Sequence, residues 1–238
     1  MKKSSSTHWN QIGKSYAAEW QNGGKKYVSD QELLFIKRTL QMFKGQTVDA
    51  LDLGIGAGRI LSTLIDVKAV DGVTGVDFSQ EMILYCKNKF RNEKKVKKLL
   101  HHDISKPLPF KNDTFDIVTS MRAIKYNRNW RDILKECRRV LKKNGIFIFD
   151  MLNIDSVNRL SSDEITMYRT NARELTETLT NYGLEILKIN GGPILPGFVY
   201  NRLNGPILGL MIMTEKLFKA VFGQTFLSRF LYVACRKI

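Results

Sequence analysis

The chain has 238 residues, 43% hydrophobic and 26% charged, the balance of an ordinary globular protein and not of a disordered one. Its length suits one α/β domain with a modest appendage. Three cysteines, Cys86, Cys137 and Cys235, are too few and too scattered for a disulfide framework or a zinc cluster, which points to a reducing, cytoplasmic setting and no metal site. The polar start lacks the apolar run of a secretory signal, and the apolar stretch 207–213, interrupted by Gly209, falls well short of the roughly 18 residues of a spanning helix. Charge is the outlying quantity: 38 Lys and Arg against 23 Asp and Glu give +15. Two readings follow, lysine-rich helix faces at 87–98 and 128–143 that merely meet water, or a polyanionic partner such as RNA or an anionic membrane leaflet.

Residues 1–43 precede the first strand and read as two helices, the second from about Asp30 to Phe43. Residues 48–53, Val-Asp-Ala-Leu-Asp-Leu, read as a buried strand, followed by a glycine turn and a helix over 59–66. A strand over 70–77 leads to a helix that Ser79 caps, with Glu81 in its first turn. Short strands are expected at 99–103 and 115–119, then a helix over 130–142 that Asn144 and Gly145 end. Residues 146–149 form an apolar strand, 163–182 a helix and 184–189 a strand. After Gly191-Gly192-Pro193 the rhythm breaks into a proline- and glycine-bearing stretch with an apolar helix over 207–222. Residues 230–235 read as the last strand. Alternation of this kind implies right-handed crossovers and a mainly parallel sheet.

The densest signal is Asp52-Leu53-Gly54-Ile55-Gly56-Ala57-Gly58, placed where the first strand meets the first crossover helix. Glycines there allow a sharp turn and close approach of a ligand to the main chain, beyond the carboxyl ends of the strands. The third glycine comes one position early for a dinucleotide fingerprint, and Arg59 stands where that fingerprint needs glycine; no Gly-Lys-Ser/Thr follows, which excludes a P-loop. Asp52 beside the loop disfavours a pyrophosphate and favours a cationic centre. Asp77 lies nineteen residues past Gly58, at the end of the second strand, where a carboxylate can accept from both ribose hydroxyls. Phe78 can lie against a flat base, and Asp103 can accept from an adenine amino group. Together these features suit a nucleoside that bears a cationic group.

The sequence resembles the class I S-adenosylmethionine-dependent methyltransferases, the broad group that includes ubiquinone- and menaquinone-biosynthesis enzymes and many small-molecule methyltransferases. Four stretches carry the resemblance: 51–58, 73–79, 102–116 and 134–145. It implies a Rossmann-like seven-stranded, mostly parallel sheet with helices on both faces and the last strand antiparallel beside the fifth. It also implies S-adenosyl-L-methionine as cofactor, held by Asp52, Gly54, Gly56, Gly58, Asp77, Phe78, Asp103, Ile104 and Ser120. Residues 9–16 resemble a variant of the family's N-terminal aromatic segment, by which Tyr16 would close over the cofactor carboxylate. Where this group often has a His-His pair after the fourth strand, Lys125 and Tyr126 stand here, and Asn144 replaces the usual turn proline.

The resulting expectation is one methyltransferase domain over 1–238. It comprises a helical cap at 1–43, a sheet core at 47–192 and 228–238, and a lid-like insertion at 193–227. Methyl transfer is a direct displacement, so alignment and exclusion of water are the protein's main tasks. Candidates for contact with the acceptor are Tyr126, Lys125 and Arg122, with His101 and His8 as further titratable groups. The Leu-, Ile-, Met- and Phe-rich stretch 194–230 reads as a helix packed on the sheet, or as a roof for a small apolar or lipid-linked acceptor that touches an anionic membrane. Methylation of tRNA and a non-catalytic binding role on the same fold stand as alternatives.

Overall fold

The computed structural model describes residues 23–157, 166–202 and 205–238. Their elements in chain order are α1 (Gly23–Leu40), a 3-10 turn (Gln41–Phe43), β1 (Val48–Leu53), α2 (Arg59–Ile65), β2 (Val70–Asp77), α3 (Gln80–Lys89) and β3 (Val96–His101). There follow β4 (Phe115–Ser120), a 3-10 turn (Ile124–Tyr126), α4 (Trp130–Val140), β5 (Leu141–Asn153), β6 (Arg169–Thr170), α5 (Ala172–Asn181) and β7 (Leu184–Gly191). The chain closes with α6 (Gly197–Arg202), α7 (Gly205–Phe222) and β8 (Phe230–Lys237).

Among the described residues the strands form one sheet in the order β3-β2-β1-β4-β5-β8-β7, with the two-residue β6 beside the end of β5. β1 to β5 run parallel to one another, and β8 enters antiparallel between β5 and β7. The expected architecture is therefore the one observed, with β6 as an added short strand.

Alternation along each strand divides the interior into two cores. Leu51, Leu53, Phe147, Phe149, Val233 and Cys235 face one way and meet α4 and α5 through Trp130, Ile133, Leu134, Leu175 and Leu179. Ala50, Ile148 and Ala234 face the other way and meet α1, α2 and α3 through Phe35, Ile36, Leu61, Leu64, Ile83 and Cys86. Strands covered on both faces need apolar residues at nearly every position, which is why β5 is buried without a break from Gly145's successor Ile146 to Asn153.

Ser79 caps α3 as its sequence indicates, its Oγ accepting from Met82 N. Asn171 does the same for α5 by accepting from Glu174 N at 2.8 Å. On α4, Trp130, Ile133, Leu134, Cys137 and Val140 are buried at helical spacing while its basic residues turn outward.

Several boundaries differ from expectation. The basic run 87–98 is not one helix: α3 ends at Lys89, and Lys97 and Lys98 sit on β3, the sheet's edge. Edge strands carry lysines because one side faces water and unpaired backbone must not recruit another strand. β3 starts at Val96 and ends at His101, so Asp103 lies just past it. The helix expected over 163–182 is shorter in its described part, which holds β6 and α5; residues 158–165, like the first predicted helix near the N-terminus with His8 and Tyr16, fall outside the described residues. No described helix is long and apolar enough to cross a membrane.

Candidate active site

The strand order reverses between β1 and β4, whose carboxyl ends diverge and open a crevice in any sheet of this topology. The glycine loop leaves β1 there, stitched to the next strand by Gly54 N and Ile55 N, which both donate to Val76 O at 2.8 and 3.1 Å. A cavity of about 1020 Å3 lies over this switch point. Its walls come from the glycine loop (Gly54, Ile55, Gly56, Ala57), the end of β2 (Asp77, Phe78, Ser79), residues 101–105 after β3 and residues 121–123, 126 and 127 after β4, with Leu33 and Lys37 of α1 opposite.

The three loop glycines share positive φ, 76°, 48° and 76°, but serve different neighbours. A methyl group at Gly54 would sit 2.5 Å from the Ala123 Cβ, so this glycine lets the loops after β1 and β4 touch. At Gly58 it would meet the Phe90 ring at 2.5 Å and Cys86 Sγ at 3.2 Å. At Gly56 it would meet no protein atom within 4 Å, although Gly56 lines the cavity. Gly58 is thus a packing glycine and does not line the cavity; Gly56 leaves its backbone open on the ligand side.

Asp77 is almost fully buried, and its carboxylate accepts from Gly56 N and Ser79 N, each at 2.8 Å. Burial pushes its carboxyl upward, and those two N–H groups oppose the shift. Asp52 is buried below the loop with one oxygen accepting from Thr119 Oγ1 at 2.8 Å. Its other oxygen, Oδ2, is buried with no hydrogen-bond partner among the described residues. Burial pushes the Asp52 carboxyl up to about 7, against the Thr119 hydrogen bond and the Arg59 charge. A buried carboxylate beside a glycine cradle, its charge only partly offset by Thr119, Arg59 and the Leu61 backbone, suits a cationic ligand, which is what the donor group implied by the resemblance carries.

Asp103 and Ile104 line the cavity; the Asp103 carboxylate also accepts from Ser105 N at 2.9 Å. Phe78 lines it too. Ser120 does not: it is fully buried, and its Oγ donates to Leu53 O at 3.2 Å, tying β4 to β1. Asp52 likewise is buried and absent from the cavity's lining. The ring Nε2 atoms of His101 and His102 donate to the carbonyls of Phe78 (2.7 Å) and Pro107 (3.0 Å), which gives both histidines structural partners. No cluster of metal-binding side chains occurs among the described residues.

Of the three acceptor-side candidates, Arg122 and Tyr126 line the cavity and Lys125 does not. Lys125 is buried and ion-paired with the buried Asp150; burial lowers its pKa, and Asp150 opposes this. Asp150 also accepts from Arg122 N, at a residue held with φ 59°.

A further charged group carried no sequence signal. Glu32 of α1 is fully buried and meets Arg59 Nη2 at 2.5 Å, Arg122 Nη2 at 2.8 Å and Arg122 Nε at 2.9 Å. Burial alone would raise its carboxyl, but Arg122 and Arg59 hold it below the ordinary value. Arg59 and Arg122 both line the cavity, so α1 is bonded to both loops that build the site.

The segment 193–227, expected as a lid, contributes none of the cavity's lining. α6 packs on α1, with the Tyr27 and Tyr200 rings 5.4 Å apart. Phe222, Thr225, Phe226 and Leu227 line a separate cavity of about 180 Å3 near the end of β5. Lys219 of α7 donates to Gly191 O and Gly192 O at the end of β7, which holds that helix beside the β7–β8 edge.

Residues 51–149 match the family model described as a methyltransferase domain. An uncharacterised protein of Methanocaldococcus jannaschii is 33% identical over 62% of this chain and 51% of its own. The demethylmenaquinone methyltransferase of Alkalihalophilus pseudofirmus is 33% identical over 46% of this chain and 47% of its own. The chain thus spans about half the length of these curated relatives. A chain from a complex between the Haloferax volcanii methyltransferase activator Trm112 and a methyltransferase superposes with a TM-score of 0.68 at 21% identity, covering 99% of both chains. The glycine loop, Asp52, Asp77, Asp103 and the β4 strand all fall inside the matched stretch. That stretch is similar to a methyltransferase domain, and the chain has the fold of solved S-adenosylmethionine-dependent methyltransferases from Clostridium acetobutylicum and Thermotoga maritima.

Proposed function

We propose that this protein is an S-adenosylmethionine-dependent methyltransferase whose acceptor is a small apolar molecule, of the ring-bearing, lipid-linked kind. The observation that carries the reading is the single cavity that joins the glycine cradle to the β4 loop. Its volume of about 1020 Å3 accommodates a nucleoside-sized cofactor together with a small acceptor. Leu33, Ile60, Met82, Tyr85 and Met121 give it an apolar share, and a relative that methylates demethylmenaquinone agrees with an acceptor of this class.

When bound, S-adenosylmethionine supplies a methyl group on a positively charged sulfur, open to direct displacement by an oxygen, nitrogen or carbon nucleophile. Asp52 compensates the cationic end of the ligand from beneath the loop. Asp77 takes the ribose hydroxyls, and Phe78, Asp103 and Ile104 hold the base. Gly56 leaves the backbone N–H groups approachable. Arg122 and Tyr126 stand at the acceptor end, where the Tyr126 hydroxyl and the Arg122 guanidinium can orient an acceptor by hydrogen bonds. Lys125 acts one step back: by pairing with Asp150 it fixes the carboxylate that receives Arg122 N. Holding nucleophile and methyl in line contributes roughly 7–11 kcal/mol to such a reaction.

The test is transfer of labelled methyl groups from S-adenosylmethionine to reduced demethylmenaquinone, with tRNA in parallel. Label in the organic extract, lost in Asp77→Ala, supports the reading. Label that enters tRNA alone would overturn the acceptor class, and no label in any fraction despite cofactor binding would overturn the activity.

A further inference from the structure

The apolar helix α7 is built the wrong way round for a helix that only covers a core. Its one buried residue is Glu215. That carboxylate accepts from Ile194 N at 2.9 Å and from the Tyr200 hydroxyl at 2.5 Å, and it pairs with Lys219 at 3.0 Å. The inward side is therefore fastened by polar contacts. On the outward side Ile207, Leu210, Met213, Leu217 and Val221 are each 59–68% exposed. Their spacing of three and four residues puts them on one face, along a helix about 27 Å long. At its C-terminal end Phe218, Phe222 and Phe226 stack on one another with centroids 4.5–5.9 Å apart, and Phe222 and Phe226 stay about half exposed. A continuous apolar face of this length in contact with water marks a docking surface.

Charge decides what docks. Between residues 193 and 238 six bases stand against one acid, the buried Glu215; Lys219 turns inward onto Glu215, Arg236 and Lys237 pair with Glu185 and Asp113, and Lys216 is the exposed lysine on α7 itself. The whole chain carries +15. A second copy docked through the same face would bring basic residues against basic residues, because a two-fold interface pairs a patch with itself. An anionic lipid surface satisfies both properties: the apolar stripe enters the acyl boundary, and Lys216 together with the net positive charge of the chain favours anionic headgroups.

We propose that α7 lies in the surface of an anionic membrane through the face that carries Ile207, Leu210, Met213, Leu217 and Val221. The inference goes beyond the methyl-transfer reading and needs no particular acceptor. The experiment is co-sedimentation of the full chain with vesicles of phosphatidylcholine alone and of phosphatidylcholine containing a quarter phosphatidylglycerol, at low and high salt. The chain is expected to pellet with the anionic vesicles, less at high salt, and Leu210→Glu/Leu217→Glu is expected to reduce binding by at least about tenfold. Both substituted residues are exposed, so the variant should keep the wild-type melting temperature and its shift with S-adenosylmethionine, a readout that separates this inference from the cofactor assignment. Failure to pellet with anionic vesicles would overturn the proposal, as would equal pelleting of the variant. It would also fall if the wild type proved to be a dimer that the same substitutions split.

Discussion

Gly56 and Gly58 share a left-handed backbone but predict opposite experimental signatures. Gly56→Ala strains the backbone by roughly 1–2 kcal/mol and projects a methyl where no protein atom stands. Its cost should fall on cofactor affinity, read by calorimetric titration, with a modest drop in melting temperature. Gly58→Ala drives the new methyl into Phe90 and Cys86 and should lose stability first. Asp52 gives a pH signature. Its carboxyl sits near 7 in the folded chain and at about 3.9 unfolded. The folded state therefore holds a proton that the unfolded state releases. The stability this contributes is complete below about 3.9, declines as pH rises and is gone above about 7. A cationic ligand prefers the ionised form, so S-adenosylmethionine affinity should weaken about fivefold between pH 7 and pH 6. Asp52→Asn should bind weakly with that pH dependence abolished, and an unchanged slope in the variant would move the proton elsewhere. These residues were legible because glycine and aspartate at strand ends have few other uses. Glu32 and Asp150 were not: a lone acid in a helix and one in an apolar strand look like surface and strand-end residues until the fold brings Arg59, Arg122 and Lys125 to them.

At the level of elements, α1 is held to the site by charge as well as by its apolar side. Removing one member of a buried ion pair leaves the rest uncompensated, at a cost of about 3–5 kcal/mol. Glu32→Ala should show that loss in denaturant melts, with hydrogen exchange rising in α1 and in the loops of Arg59 and Arg122 ahead of the sheet. Exchange confined to α1 would mean that the ion pairs do not organise the loops. Element types were largely readable from the chain, since buried parallel strands are runs of apolar residues and the helices carry caps such as Ser79. Boundaries failed where solvent or tertiary contact overrode pattern. The lysines of β3 imitate a helix face because the strand is an edge, and β6 interrupts an expected helix by pairing with β5. The segment 193–227 does not line the cavity as it stands, and composition cannot say which edge of the sheet a helix covers.

For the molecule as a whole, the order β3-β2-β1-β4-β5-β8-β7 explains why one loop motif locates the cavity: the sheet can open only where its order reverses. That much followed from alternation and the glycine loop. The position of α7 did not, because its apolar residues face water where pattern reasoning assigns them to a core. The most direct measurement is a thermal melt of the full chain with S-adenosylmethionine, S-adenosylhomocysteine or NAD. At a hundred times its dissociation constant a ligand stabilises by about 2.7 kcal/mol, which for a chain of this size raises the midpoint by roughly 5–11 °C. The expected result is that shift with the first two ligands, none with NAD, and its loss in Asp77→Ala. A shift with NAD alone, or an undiminished shift in Asp77→Ala, would contradict the cofactor site described.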